Sequence, residues 1–413
     1  MTTLQASAAP TAYGSARLLA GVTGGARADL ATHRSMHGPQ QHRSHDALVR
    51  ETAAVRLLGR GGAAFPVATK LAAMTTGSSV EVVVNGSESE PASHKDRTLM
   101  TLAPHLVLDG ALLVARALRT RRVTIAVHDG GAYDSLVRAV EERRTTEPHP
   151  ERVTVRLQAA RFVGGEVRAL LNGLDGRAAV PPGRRTLPTE QGLHGRPTFA
   201  SNVETFAQIA LLVSLGAHRY ADIGDPDEPG TTMLTLVGDL AAPGVVEVPT
   251  GLPLDALLPH GDGDPVLIGG YHGHWVRDVD GLRLNRSLLR EAGVPLNAGV
   301  IARLPATGCA LAEVAAVTSW LARQSAGQCG PCLFGTHAVA QDVNALLRGR
   351  PSLEITNRLR GMTRRGACAH PDGTAAFVSS ALTAMASEIA VHLEHGGCGR
   401  PYLRSLPLVE DGS

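Results

Sequence analysis

Apolar and polar residues alternate along the first half of the chain with the periods of short strands and amphipathic helices. β-Branched runs at Val80–Val84, Val123–Val127 and Val153–Leu157 predict strands. Apolar residues at helical spacing over Pro104–Leu118 and Tyr133–Arg144 predict helices between them. This alternation of strands and helices favours an α/β layer with a mainly parallel sheet.

The pattern changes after a further helix, predicted over Val203–Leu215. Residues 225–230 read DPDEPG, which predicts a linker. Short strands separated by Gly and Pro turns follow, at Met233–Val237, Gly244–Val248 and Val266–Ile268. They predict a small β-rich domain. From Leu311 onward, helical patterns predict a compact helical bundle.

Composition narrows the class of protein. A chain of 413 residues is long enough for two or three domains, and 43% hydrophobic with 19% charged residues excludes a disordered chain. The 40 basic and 38 acidic residues form no basic block, so no nucleic-acid partner is expected. The sequence predicts neither a signal peptide nor a transmembrane segment, and we expect a cytoplasmic location. Residues 1–48 are expected to form a mobile or surface-draped N-terminal extension.

A glycine-rich segment at residues 59–66 suggests an anion site. Gly59, Gly61 and Gly62 let backbone N–H groups turn toward a phosphate, which Arg60 and Lys70 can neutralise. Lysine is rare in this chain, which has only Lys70 and Lys95, and a compact ammonium is not interchangeable with a guanidinium. The alternative is a tight surface turn.

Three further motifs follow strands or precede helices. The strand at Val80–Val84 runs into an acidic loop, residues 85–91, and the carboxyl ends of parallel strands are where α/β folds bind ligands. There Asn85 can bond an amide-like ring edge, and Glu88 and Glu90 can hold ribose hydroxyls or a nicotinamide carboxamide. The alternative is a solvated acidic loop. The other motifs are Phe162–Glu166, and Ser201–Thr205, in which Asn202 can equally be only a helix cap.

All five cysteines lie in the last quarter of the chain. Cys329 and Cys332 have two residues between them, the spacing at which both thiolates reach one metal or cluster, and Cys368 can complete the site. Zinc, a redox dithiol and an iron–sulfur cluster all remain open from the spacing alone.

Taken in order, these motifs resemble the NADH-binding flavoprotein subunit of respiratory NADH:quinone oxidoreductase, over roughly residues 50–395. The resemblance implies an FMN-binding α/β domain (49–225), a small β-grasp domain of the soluble-ligand-binding type (226–300), an iron–sulfur-binding helical bundle (301–400) and a tail (401–413). It also implies that FMN is cradled by Gly59, Arg60, Gly61, Gly62, Lys70, Asn85, Glu88, Gly165, Glu166 and Asn202. Phe65 and Glu90 would face the NADH side.

The chain departs from the pattern of that family at several positions. Ser87 replaces an Asp, Val167 a Glu and Phe162 a Tyr, and Ala326 stands where the first cluster cysteine is expected. Cys329, Cys332 and Cys368 therefore remain as iron ligands, for a [4Fe–4S] or a [3Fe–4S] cluster. Cys309, Cys398 or His370 are the candidates for a fourth ligand, and Cys309 is alternatively a buried core residue.

The resulting hypothesis is an NADH dehydrogenase that passes electrons from NADH through FMN to an iron–sulfur cluster, and on to a ferredoxin-like protein or a partner subunit. The alternative is a non-catalytic electron-transfer or scaffold subunit that has lost NADH oxidation, which the departures at Ser87, Val167 and Ala326 favour.

Overall fold

A computed structural model describes residues 9–147, 151–159, 161–183, 186–240, 242–258 and 264–409. Within these residues the chain divides into two units. The first contains the described residues within 1–89, 94–234 and 244–252, and the second contains 90–93 together with the described residues within 235–243 and from 253 onward.

The first unit is a mixed α/β structure. Its elements in chain order are β1 (Thr11–Ala12), α1 (Leu30–His37), α2 (His45–Ala54), α3 (Val67–Ala72), β2 (Glu81–Gly86), α4 (Lys95–Leu102), α5 (Pro104–Ala117), β3 (Arg122–Val127), α6 (Gly130–Thr146), β4 (Arg152–Leu157), α7 (Val167–Leu174), β5 (Thr198–Asn202), α8 (Val203–Leu215), α9 (Ala217–Ala221), β6 (Gly224–Asp225), β7 (Glu228–Pro229), β8 (Thr231–Gly238, whose last four residues belong to the second unit) and β9 (Gly244–Pro249).

The central sheet of this unit has the strand order β4–β3–β2–β5, and every pairing in it is parallel. Val82, Val83 and Val84 of β2 are fully buried, as expected for a central strand covered on both faces. The chain proceeds from β2 outward through β3 to β4 and then returns to the other side of β2 as β5. The order of the strands therefore reverses between β2 and β5, where Asn85 and Asn202 stand in register.

The two most apolar helices, α5 and α8, are buried along almost their whole length. Pro104 occupies the first turn of α5, where its missing N–H costs no hydrogen bond. A Cβ at Gly110 of α5 would lie 1.9 Å from the carbonyl oxygen of Phe206 in α8. Only glycine allows this approach, so Gly110 sets the distance between the two helices.

The N-terminal segment is folded into this unit and does not form the extension predicted from the sequence. Leu18, Leu30 and Leu48 are buried, and β1 pairs in parallel with β9. The carboxylate of Glu247 in β9 accepts hydrogen bonds from the backbone N–H groups of residues 17–19, at 2.9–3.1 Å. Residues 225–230 are likewise not a simple linker, because β6 and β7 pair there as an antiparallel ribbon.

The second unit combines short strands with a helical bundle. After the end of β8 its elements are β10 (Val266–Ile268), β11 (His274–Val276), α10 (Arg286–Glu291), β12 (Val300–Arg303), α11 (Ala310–Arg323), a π-helical turn (Pro331–Gly335), α12 (Thr336–Leu347), α13 (Ile355–Met362), α14 (His370–Ala384) and α15 (Ala386–His395). The strand β10 pairs antiparallel with both β11 and β12, and β12 pairs in parallel with the end of β8.

An aromatic cluster joins the strands of this unit to its helices. The ring of Tyr271 meets Trp320 of α11 and Phe377 of α14 edge-on, with centroids 5.8 and 6.4 Å apart. A Cβ at Gly373 of α14 would lie 2.2 Å from Cγ of His272, so glycine is required where the loop before β11 crosses the helix.

No single helix among the described residues is long and apolar enough to span a membrane. Two helix pairs reach the required length and composition only together, and each is sharply bent: α4 with α5 by 93° and α14 with α15 by 75°.

Candidate functional site

The carboxyl edge of the parallel sheet gathers most of the residues that the sequence predicted for a cofactor site. Asn85 ends β2 and Asn202 ends β5, at the place where the strand order reverses. Such a switch point leaves a crevice outside the carboxyl ends of two neighbouring strands, and this is where open α/β sheets bind ligands. Asn202 also caps α8, accepting a hydrogen bond from the Glu204 N–H at 2.9 Å, so a helix N-terminus faces the same edge.

The glycine-rich loop lies against the end of β5. It closes on itself, since the Gly59 N–H donates to the Phe65 carbonyl at 2.9 Å. A Cβ at Gly61 would lie 3.6 Å from Cβ of Asn202, so the loop backbone approaches the end of the strand closely. Gly62 and Phe65 are exposed. The loop therefore presents backbone and one aromatic ring at the sheet edge.

Lys70 projects from α3 toward this edge. Its ammonium donates to the carbonyl of Ala200 in β5 at 3.0 Å and lies about 6 Å from the ring centroids of Phe65 and Phe199. Burial lowers the pKa of Lys70, and no carboxylate of the described residues opposes that effect. A partly buried ammonium with one carbonyl partner retains donors for an anion.

Arg60 is turned into the protein and does not face the loop surface. Its guanidinium is fully buried, forms an ion pair with Glu228 of β7, and has Nε 3.8 Å from Oε1 of Glu204. Its backbone N–H donates to the Thr205 hydroxyl at 2.8 Å. Burial opposes the charge, but Glu228 raises the pKa of Arg60 nonetheless. The direct neutralisation of a phosphate by this side chain, expected from the sequence, does not fit this placement.

Lys95 lies at the centre of a buried polar cluster. Its ammonium donates to Asp96 at 2.8 Å, to Glu204 at 3.1 Å and to Asn202 at 3.4 Å. Burial disfavours the ammonium, but Asp96 and Glu204 outweigh this effect and raise the pKa of Lys95. Burial also raises the pKa of Asp96 to about 6, against the pull of Lys95. The charge of Lys95 is thus taken up inside the protein.

Glu204 is a site residue that the sequence analysis did not select. Besides Lys95, it accepts hydrogen bonds from the Thr232 hydroxyl at 3.0 Å and the Met233 N–H at 3.1 Å. Glu204 lies inside the motif Ser201–Thr205, so the sequence did offer a signal for it. Glu228, by contrast, lies in a segment whose composition is that of a linker, and nothing local indicated its pairing with Arg60.

The loop after β4 also reaches the carboxyl edge. The side-chain amide of Asn85 donates to the Gly165 carbonyl at 3.0 Å, and its oxygen accepts from the Ser87 N–H at 3.1 Å. A Cβ at Gly165 would lie 2.3 Å from Oγ of Ser89. Glycine is therefore needed where the two loops cross, and Asn85 holds them together.

Two of the predicted acidic residues stabilise helix N-termini. Glu88 accepts from the N–H groups of Asp96 and Arg97 at the start of α4, at 3.0 and 2.9 Å. Glu166 caps α7 through two N–H bonds of 3.0 Å and pairs with the Arg168 guanidinium at 2.9 Å. In both cases the carboxylate satisfies donors that a helix start leaves free.

Glu90 belongs to the second unit. It is buried, and its carboxylate accepts from the Tyr271 N–H at 2.8 Å and from the Ala92 N–H at 3.4 Å. A Cβ at Gly270 would lie 2.6 Å from the Glu90 carboxylate, so the carboxylate fits closely against the turn before Tyr271.

The thiols of Cys329 and Cys368 neighbour the thiol of Cys332 in the helical bundle of the second unit. Cys332 lies in the first turn of the π-helical segment and donates its N–H to the Cys329 carbonyl at 3.0 Å. Burial, together with the neighbouring thiols of Cys329 and Cys368, raises the pKa of Cys332 to about 12. Neighbouring thiols disfavour each other's ionisation, because their thiolate charges repel. A metal ion or an iron–sulfur cluster removes this repulsion, because it binds the thiolates.

The three candidates for a fourth ligand have other partners. Cys309 and Cys398 lie with Glu388 and His392 in a separate group of four, whose ligand atoms are all within 4.8 Å of one another. His370 has both ring nitrogens engaged, with the Leu321 carbonyl at 3.0 Å and with His272 at 3.1 Å. Cys309 is buried, as the core alternative expected, but its neighbours are polar.

The residues present fit the two groups that the sequence motifs imply. The described residues supply no negative charge to the Lys70 ammonium, and an anionic phosphate would supply it. The N-terminus of α8 faces the same edge and would also favour an anion. Three converging thiols match the soft ligands that iron–sulfur clusters require.

Two family models match this chain. Residues 52–211 match the family model described as the Nuo51 FMN-binding domain, and residues 312–392 match the NADH-ubiquinone oxidoreductase-F iron-sulfur binding region. The NAD+-reducing [NiFe]-hydrogenase in its H2-reduced state has a similar structure, with a TM-score of 0.78 and 26% identity over 85% of this chain. The chain spans 63% of that hydrogenase chain.

Curated relatives extend the similarity over most of the sequence. The F subunit of the NADH-quinone oxidoreductase of Streptomyces coelicolor is 28% identical, and the match covers 83% of this chain and 82% of the relative. The corresponding F subunit of Mycobacterium bovis is 30% identical over 378 residues, 83% of each chain. The chain therefore belongs to the family of NADH-quinone oxidoreductase F subunits.

Proposed function

We propose that this chain is an NADH dehydrogenase that takes electrons from NADH and delivers them through FMN and an iron–sulfur cluster to a partner complex. The observation that carries the proposal is Lys70, a partly buried ammonium without a carboxylate partner in the described residues, at the switch point of a parallel sheet. The family membership and the matches to an FMN-binding domain and an iron–sulfur region support the same conclusion.

In this proposal Lys70 and the backbone of Gly59, Gly61 and Gly62 hold the phosphate of FMN. The glycines allow the ligand to approach the main chain, and Lys70 supplies the charge. Arg60 does not contact the phosphate in this proposal. Its buried ion pair with Glu228 holds the glycine-rich loop in place. Asn85, Gly165 and Asn202, which lie at the carboxyl edge of the sheet, would help to hold the FMN.

Glu88 and Glu166 act as anchors of the site in this proposal. Each holds the first turn of a helix next to a site loop, so that polar backbone atoms keep fixed positions. Phe65, which is 48% exposed, offers a face on which a nicotinamide or adenine ring can stack. We assign Glu90 to the NADH side, following the resemblance.

The reaction requires orientation and exclusion of water rather than acid–base chemistry by the protein. Bound FMN would supply the ability to take two electrons from NADH as a hydride and to pass them on one at a time. Cys329, Cys332 and Cys368 would hold that cluster as thiolates. Hydride and electron transfer require no general base from the protein.

The finer organisation is also a proposal. We divide the chain into an FMN- and NADH-binding domain (49–225), a β-grasp domain (226–300) and an iron–sulfur bundle (301–400). The electron acceptor is a ferredoxin-like protein or another subunit of a complex. We also propose a cytoplasmic location, because a reducing compartment would keep the cysteines available as thiolate ligands.

A non-catalytic electron-transfer or scaffold subunit is the second candidate. The departures at Ser87 and Val167 favour it, but both residues fit their surroundings. Ser87 donates its N–H to Asn85, and Val167 packs against the apolar cluster beneath α7. A scaffold would also leave the ammonium of Lys70 without a counter-charge from the described residues.

Anaerobic titration of the purified protein with NADH tests the proposal. We expect flavin absorbance bands together with broad iron–sulfur absorbance, and bleaching of both on adding NADH. Dithionite serves as the control for full reduction. Bleaching by dithionite alone would support the non-catalytic subunit, and a protein without either chromophore after anaerobic reconstitution would overturn both candidates.

A further inference from the structure

Four potential metal ligands from two stretches of the chain meet in the helical bundle. Cys309 precedes α11, Glu388 and His392 lie on α15, and Cys398 follows that helix. Their ligand atoms all lie within 4.8 Å of one another. None of these residues belongs to the thiol group around Cys332, and the proposed electron transfer does not use them.

The distances suit a tetrahedral ion. Sγ of Cys309 lies 3.3 Å from Nε2 of His392 and 3.4 Å from Oε1 of Glu388. The distance between Nε2 of His392 and Oε1 of Glu388 is 4.0 Å. With metal–ligand bonds of about 2.0–2.3 Å, the ligands of tetrahedral zinc are separated by roughly 3.3–3.8 Å. Small side-chain adjustments would therefore bring all four atoms onto one ion.

The local backbone explains how the ligands meet. Glu388 and His392 are four residues apart and share one face of α15. The helix ends at Gly396 in the left-handed conformation, and Gly399 also has a positive φ, of 71°. The turn at Gly396 brings Cys398 back beside His392, and the turn at Gly399 follows Cys398. Cys309, at the N-cap of α11, accepts the Ala312 N–H on its sulfur at 3.3 Å.

The surroundings orient the ligands as metal sites require. Nδ1 of His392 bonds the Leu347 carbonyl at 2.8 Å, which places the proton there and leaves the lone pair of Nε2 facing the two thiols. The Arg400 guanidinium bonds Oε2 of Glu388 at 2.5 Å. Two thiolates and a carboxylate around a divalent cation leave one net negative charge, and Arg400 balances it.

We propose that these four side chains bind one structural zinc ion. Mixed thiolate, imidazole and carboxylate donors in a closed four-ligand set are typical of zinc. Binding zinc releases the thiol protons and leaves no open coordination position, so the site is not catalytic. The ion would tie the start of α11 to the end of the bundle and brace the segments that carry the cluster thiols.

Metal analysis of the untagged, full-length protein tests the proposal. We expect about one zinc per chain that survives gel filtration with a weak chelator, in addition to any iron. The double variant Cys309→Ser with Cys398→Ser should lose the zinc and keep its iron and flavin. The double variant Cys329→Ser with Cys332→Ser should lose its iron and keep the zinc.

Single variants with matched controls guard against loss of folding. His392→Gln and Glu388→Gln should reduce zinc content, whereas His395→Gln and Glu394→Gln, exposed neighbours on the same helix, should not. Arg400→Gln should weaken zinc binding by about 10- to 100-fold in competition with a chromophoric chelator. Cobalt substituted for zinc should give thiolate charge-transfer bands and the d–d bands of a tetrahedral ion.

Three results would overturn the zinc site. The first is wild-type protein without zinc after growth and purification with added zinc. The second is a disulfide between Cys309 and Cys398, seen by mass spectrometry as the state of the protein isolated under reducing conditions. The third is loss of iron, rather than zinc, in the variant lacking Cys309 and Cys398, which would make these residues cluster ligands. The proposed NADH oxidation stands or falls separately, because it is measured by reduction with NADH.

Discussion

Replacing Lys70 with methionine separates ligand binding from protein stability. The ammonium of Lys70 bonds one carbonyl and has no carboxylate partner among the described residues. Methionine has a similar length and no charge to desolvate, so the apoprotein should keep its stability or gain slightly. A charge-assisted hydrogen bond to phosphate contributes about 1.5–3 kcal/mol, and its loss should weaken FMN binding by roughly 10- to 150-fold.

Lys95→Met is the matched control, because it removes the other lysine of the same edge. Here the ammonium is buried between Asp96 and Glu204. Its removal takes the ion-pair partner from Asp96 and leaves Glu204 with Arg60 at 3.8 Å. We expect a destabilisation of about 3–5 kcal/mol. Urea unfolding of the apoproteins gives the stabilities, and quenching of FMN fluorescence on titration gives the dissociation constants.

Lys70→Arg completes the series, since it keeps the charge in a bulkier group and should bind FMN more tightly than Lys70→Met. The reasoning would be refuted if Lys70→Met lost as much stability as Lys95→Met while its FMN dissociation constant matched that of the wild type. Lys70 would then be a structural residue of α3 and not a phosphate ligand.

Two other predictions concern NADH and pH. Glu90→Gln should slow reduction by NADH in stopped flow while FMN occupancy and reduction by dithionite stay unchanged; loss of flavin would instead place Glu90 in the FMN site. Burial lowers the pKa of His105 and of His370 to about 4. The unfolded chain binds these protons near pH 6.5, whereas the folded protein binds them only near pH 4. The free energy of unfolding should therefore fall as the pH decreases through this range. Between pH 7 and 5 the expected loss is about 2 kcal/mol per histidine. Urea midpoints that stay constant over that range would contradict this.

Local sequence patterns were sufficient to predict the helices and strands that consist of continuous apolar runs. The helix predicted over Val203–Leu215 has those bounds in the structure, because an apolar run lies between the Asn202 cap and Gly216. The strand Val266–Ile268 is also confirmed. The sequence placed Asn85 after a strand and Asn202 at the start of a helix. It did not predict β5, whose parallel pairing with β2 brings the two residues together.

What the sequence could not show depends on partners far along the chain. Residues 17–19 are held by Glu247, about 230 positions away, so a segment with few apolar residues is folded against expectation. The inward turn of Arg60 follows from Glu228, 168 positions away. Neither a glycine-rich pattern nor a linker-like composition contains that information, because both describe only local backbone preferences.

The position of Ala326 leads to a last prediction, on the type of cluster. Three thiols converge at Cys332, and the backbone N–H of Ala326 bonds the Cys332 sulfur, so the loop still faces the site although its side chain offers no ligand. Cys309, Cys398 and His370 each have other partners.

We therefore expect three cysteine ligands and, in protein exposed to air, a [3Fe–4S] cluster that is paramagnetic when oxidised. Ala326→Cys should supply a fourth thiolate at the loop and yield a [4Fe–4S] cluster that is silent in electron paramagnetic resonance when oxidised, with iron content rising from about three to about four per chain. Cys309→Ala is the control and should leave the wild-type signal unchanged. Wild-type protein that already held about four irons per chain and was silent when oxidised would show that a fourth ligand is present, and a new signal in Cys309→Ala would identify Cys309 as that ligand. An unchanged signal and iron content in Ala326→Cys would show that this position does not reach the cluster.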